Sequence, residues 1–124
     1  MSEKEFFVLD ANGSSIYNAL MVCKPDNQIL LKAINQIVKN VKTKYYGGNC
    51  LEPTGPRLLE KFFDANEKQK IELKHSFFQH FSNRFIHYKN YIILKSYNGY
   101  LNEHQKHKKI AHYGVLWKKR QIYK

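Results

Sequence analysis

Leu51-Glu52-Pro53-Thr54-Gly55-Pro56-Arg57 is the stretch whose residue types come closest to chemistry. Pro53 and Pro56 fix the backbone, and Gly55 lets another group approach closely. Thr54 has the hydroxyl that caps a helix start, and Pro56 falls in the first turn, where its missing N–H costs nothing. Such a start offers free N–H groups and the positive end of the helix dipole, with Arg57 adding charge. These residues read either as a well-made helix start and nothing more or as a helix start with a candidate anion site. Asn18 is the second candidate, a polar amide inside the apolar run of residues 16–23. A buried amide needs partners for two donors and an acceptor. Asn18 therefore either bonds a neighbouring loop or faces a ligand cleft.

Six histidines invite a metal reading. His104 and His107 lie one helical turn apart, with Glu103 the only adjacent carboxylate. Zinc sites use three or four ligands, so this pair reads as solvated. His75, His80 and His87 sit among aromatics and read as packing or surface residues. The chain has no phosphate-binding glycine loop, no HExxH, no Cys/His zinc spacing and no nucleophile elbow. Tyr88, Tyr91, Tyr97 and Tyr100 interleave with Lys89 and Lys95. That pattern fits a half-buried sheet, or bases stacked in a basic groove.

The elements that must position these residues are legible from periodicity. Phe6–Leu9 reads as a short buried strand. Asp10 to Ser15 is a loop with Asn12-Gly13 as its turn signal, and Ile16 to Cys23 is a second strand. Pro25-Asp26 marks a helix start. Leu30, Ile34, Ile37, Val38, Val41 and Tyr45 form its apolar stripe, and Gly47-Gly48 its stop. The helix capped by Thr54 buries Leu58, Leu59, Phe62 and Phe63 and runs to about residues 64–66. Residues 71–81 are aromatic and basic without a clear period. Arg84–Tyr88 and residues 91–94 read as strands joined through Lys89-Asn90. Asn98-Gly99 is a turn, residues 103–109 a polar loop or short helix, and residues 110–117 the last apolar segment. This is a mixed α/β pattern in one domain-sized unit, residues 1–124.

A chain of 124 residues, 43% hydrophobic and 15% aromatic, can bury a core of its own. No apolar run reaches the length of a membrane span, and the N-terminus lacks a signal-peptide core, so the expected location is cytoplasmic by default. Cys23 and Cys50 are expected reduced, without a metal-type spacing. The net charge of +11 favours anionic partners. It comes from 18 Lys and only 3 Arg, and Arg is the side chain that grips phosphate with a two-pronged fork. Lys, Asn, Ile and Tyr also share AT-rich codons, which accounts for part of the charge.

Three ordered stretches resemble one family: Ile16-Tyr17-Asn18-Ala19-Leu20-Met21 with Lys24-Pro25, then Glu52-Pro53-Thr54-Gly55-Pro56, then His112-Tyr113 with Trp117. Their order and spacing, from about Phe6 to Tyr123, resemble the C-terminal part of glycosyltransferases with a DXD sugar-binding region. That family includes the initiating α-1,6-mannosyltransferases and capsular polysaccharide enzymes. The resemblance implies a GT-A-like fold, a mixed sheet with flanking helices, that transfers a sugar from a nucleotide-sugar donor to a glycan or protein acceptor. It implies a divalent metal, Mn or Mg, that neutralises the diphosphate leaving group. By resemblance Asn18, Thr54, Gly55 and Pro56 line the catalytic cleft, Trp117 lies at the donor site, and His112 meets the metal or diphosphate; Arg57, for its charge at the helix start, is the other donor-binding candidate. The sequence departs from the family in having no DXD: Asp10, Asp26 and Asp64 stand singly. A separate N-terminal half carrying the DXD is the implied partner, and stand-alone activity is in question. The competing expectation from charge alone is a small basic protein that binds nucleic acid or another polyanion.

Overall fold

Phe6–Leu9 (β1) and Ile16–Val22 (β2) pair antiparallel, with Leu9 opposite Ile16. The loop between them is built by Asn12, whose Oδ1 accepts from Ser14 N at 3.0 Å and Ser15 N at 2.9 Å. Gly13 takes φ +74°, a conformation glycine adopts without strain. The protein is described by a computed structural model over residues 4–78, 83–97, 99–107 and 110–123. His80, Asn98 and the side chains of Tyr100 and His104, named above, lie outside the described residues.

The helix after β2, α1, spans Gln28–Lys42 and is capped by Asn27, whose Oδ1 accepts from Leu30 N at 3.0 Å. It ends before the expected Gly47-Gly48 stop. Thr43 Oγ1 turns back onto Lys39 O at 3.0 Å, and Lys44 leaves the helix with φ +49°. Its inward face is narrower than the apolar stripe. Ala33 is buried and Leu30 and Ile37 pack on the core, whereas Ile34 and Val41 are 56% and 50% exposed. Among the described elements α1 packs chiefly on α2 (Pro56–Leu59) and the following turn.

That following segment corrects a second expectation. Gly55, not Thr54, is the N-cap of α2, with Pro56 first in the helix. Gly55 N bonds Leu51 O at 3.0 Å, so residues 51–54 close their own turn before the helix begins. After α2 comes a 3-10 turn, Glu60–Phe62, and then α3, Ala65–Gln69. Asp64 and Glu67 start α3 with a reciprocal capping box: Glu67 N to Asp64 Oδ1 is 2.7 Å and Asp64 N to Glu67 Oε2 is 2.8 Å. The one expected helix is thus two short pieces, α2 and the 3-10 turn, and α3 starts where that helix was expected to end. The 56–63 segment buries Leu58, Leu59 and Phe63 against Ile16 and Ala33, and Phe7 meets Phe63 edge-on at 4.9 Å.

Within the ambiguous residues 71–81, Leu73–Phe77 forms β3. It runs parallel to β1, with Leu9 opposite Lys74, and antiparallel to β4, Arg84–Tyr88. β4 turns through Lys89, at φ +51°, into β5, Tyr91–Lys95. The five-stranded sheet has the order β2-β1-β3-β4-β5. The single parallel pair makes it mixed, and the helical crossover from β2 to β3 supplies the required long connection. α4 spans Tyr100–His107, and the last apolar segment becomes a helix, α5, Tyr113–Lys118. Mixed α/β architecture is therefore what the sequence pattern led us to expect. Among the described residues no helix is long and apolar enough to cross a membrane.

Candidate functional site

A cleft of about 1220 Å³ opens where the β1–β2 loop, the end of α1, the 50–56 turn, β3 and α5 converge. Each wall has an identifiable cause. β2 is an edge strand, so Asn18 stands exposed on it and lines the cleft rather than being buried in the sheet. The expected demand for a buried partner does not arise. The 50–56 turn is held by a residue that periodicity did not mark. Asn40, buried on α1, donates from Nδ2 to Pro53 O at 2.9 Å, while its Oδ1 accepts from Gln36 Nε2 at 2.8 Å. Gly55 is required by close approach. A Cβ there would lie 2.9 Å from Leu51 O, a backbone atom that cannot step aside. Thr54, Gly55 and Pro56 are thereby presented to the cleft.

Asn18 and Thr54-Gly55-Pro56 thus share one cleft, although 36 positions separate Asn18 from Thr54. Arg57 is half-buried and is not among the residues that line it. Trp117 lies on α5, donating from Nε1 to Tyr46 O at 2.6 Å, with the Arg120 guanidinium 5.1 Å from its ring. It fastens the C-terminal helix to residue 46. His112 is the N-cap of α5, its Nδ1 accepting from Gly114 N at 3.1 Å. Its ring packs on Tyr113 at 4.1 Å, and Tyr113 lines the cleft. Burial first, and then Cys50, push the Tyr113 phenol above its ordinary pKa, with Arg84 opposing. Tyr113 therefore stays a neutral hydrogen-bond donor through the physiological range.

The sequence did not single out the most constrained polar pair in this cleft. His75 on β3 is 7% exposed, and its Nδ1 lies 2.8 Å from Asp10 Oδ1. The Tyr17 ring stacks on the imidazole, centroids 4.1 Å apart and 7° from parallel. Asp10 looked like a loop residue and His75 like packing. Only the parallel pairing of β1 with β3 brings them together, and no local pattern encodes that register.

A hard divalent cation takes several oxygen ligands. Among the described residues no three His, Cys, Asp or Glu side chains converge as a metal-holding group, and His112 Nδ1 is already engaged. These residues by themselves do not fit the divalent metal that the resemblance implies. Compared with known proteins, the chain matches no protein-family model, no curated protein and no solved structure.

Proposed function

We propose that this chain is a glycosyltransferase-like protein, serving transfer of a sugar from a nucleotide-sugar donor to a glycan or protein acceptor. The observation that carries this reading is the convergence of Asn18 with Thr54, Gly55 and Pro56 on one cleft. Amide, carboxylate and hydroxyl groups line the cleft together with Tyr17, Phe77 and Tyr113, and a few polar groups among aromatic ones would suit a sugar. Lys44 and Arg84 also line it and suit an anionic donor. In this reading the GT-A-like character lies in the mixed sheet with its helical crossover. The metal-holding aspartates come from a separate half carrying the DXD.

Titration calorimetry with UDP-glucose, UDP-galactose and GDP-mannose, each with manganese, tests the reading. At least one donor is expected to bind, and Asn18→Ala and Thr54→Ala are expected to weaken it without lowering thermal stability. Failure of every donor to bind, or binding untouched by both substitutions, overturns it.

A further inference from the structure

Asp10 is held more tightly than a loop aspartate needs to be. Its backbone N donates to Ser15 O at 2.8 Å and its carbonyl accepts from Gly13 N at 2.8 Å. Oδ1 accepts from Ala11 N at 2.7 Å and from His75 Nδ1 at 2.8 Å. A carboxylate has no proton to give, so the proton in the second bond sits on Nδ1. Both donors go to one oxygen. Asp10 remains 22% exposed on the cleft wall, with Oδ2 turned over to no other described group.

His75 gives the second observation. Its Nε2 is buried without a hydrogen-bond partner among the described residues. An unpaired buried nitrogen is unfavourable. Phenylalanine would fill the same space and keep the stack on Tyr17 without that penalty. What histidine adds at this position is one bond, Nδ1–H to Asp10. The residue is therefore placed to aim a carboxylate, and the carboxylate faces the cleft. A carboxylate on a cleft wall accepts from hydroxyl groups, as a sugar ring offers them. The same carboxylate repels a phosphate.

We propose that Asp10, positioned by His75, is the hydroxyl-binding point of the cleft and holds the sugar acceptor rather than the anionic donor. The inference rests on the sugar-transfer reading, whose donor side it leaves to other residues. Asp10 is the binding residue and His75 a positioning residue.

The test uses the whole chain and the methyl glycosides of glucose, galactose, mannose and N-acetylglucosamine, followed by saturation-transfer NMR, with nucleotide-sugar plus manganese measured in parallel. At least one glycoside binds, and Asp10→Asn weakens it by about tenfold or more, the order expected for one charge-assisted hydrogen bond. His75→Phe weakens it equally while the melting temperature holds or rises, and His75→Asn, which restores a donor near the Nδ1 position, recovers most of the binding. Donor binding is not weakened in any of the three. The proposal is overturned if wild-type protein binds no glycoside, or if Asp10→Asn binds as wild type does. It is also overturned if His75→Phe loses binding only through unfolding while His75→Asn fails to restore it. Donor binding without glycoside binding removes this site and leaves the transferase reading. Glycoside binding through Asp10 without donor binding removes the transferase reading and leaves the site.

Discussion

Asn40 ties the position of the Thr54-Gly55-Pro56 turn to α1 through one buried amide. Replacing it with alanine removes the bonds to Pro53 O and from Gln36 Nε2 and leaves a buried carbonyl unpaired. The expected loss is about 1–3 kcal/mol of stability, read as a lowered urea midpoint at unchanged slope. Asn40→Asp should be worse, because it sets a carboxylate against the Pro53 carbonyl. An unchanged midpoint in both variants would show that the turn is held by other contacts. Gly55→Ala acts on the same turn from the other side. Its new methyl would sit 2.9 Å from Leu51 O, so the turn must open, at about 1–3 kcal/mol. The φ at Gly55 is ordinary for any residue, −102°. Close approach and not conformation makes the glycine necessary, and alanine at Gly13, with open space around it, should strain only the backbone. A Gly55→Ala protein as stable as wild type would contradict the crowding.

Among the elements, Glu5 joins the start of β1 to the corner between β2 and α1. Its Oε1 accepts from Lys24 N at 3.0 Å and from Asn27 Nδ2 at 2.7 Å, and Asn27 is the cap of α1. The Asn27 bond first, then that from Lys24 N, hold the Glu5 carboxyl below its ordinary pKa. A carboxyl whose pKa is depressed in the folded state adds stability that is complete above the unfolded value and is lost as pH falls through the folded one. Thermal scans from about pH 6 to pH 3 should therefore show a fall that Glu5→Gln flattens. A Glu5→Gln profile parallel to wild type would remove Glu5 from the acid response. Elements set by local pattern were legible beforehand. β1 and β2 follow from apolar runs around Asn12-Gly13, and β4 with β5 from the turn at Lys89-Asn90. The helix ends were not. Lys44 adopts a left-handed conformation ahead of the glycines that would have been expected to do so. Gly55 takes the cap from Thr54 because the preceding turn uses its N–H. At the site, Asn18 and the 54–56 turn were visible as misplaced polarity and turn chemistry. Asp10 and His75 were invisible, being 65 positions apart and joined only by a parallel register.

At the scale of the whole molecule, charge and cleft make separable demands. The net charge of +11 rests on 18 Lys against 3 Arg, a field of strongly hydrated point charges rather than of phosphate-gripping forks. Lysines recur from Lys4 to Lys124, so attraction to a polyanion should be spread over the surface and indifferent to the cleft. An oligo-dT binding series decides this. Phosphate-led attraction to a single strand falls by about three-hundredfold between about 50 and 200 mM salt when about six phosphates are neutralised. The wild-type chain is expected to show that steep decline. Asn18→Ala should leave the curve where it is, because it changes no charge. A sugar ligand, held by hydrogen bonds to uncharged hydroxyls, should instead keep its affinity across the same salt range and lose it in the Asp10→Asn protein. If Asn18→Ala shifted the oligo-dT curve, the polyanion would be seated in the cleft. The cleft's amide and aromatic groups would then be reading bases, and the sugar-transfer reading would give way to nucleic-acid binding.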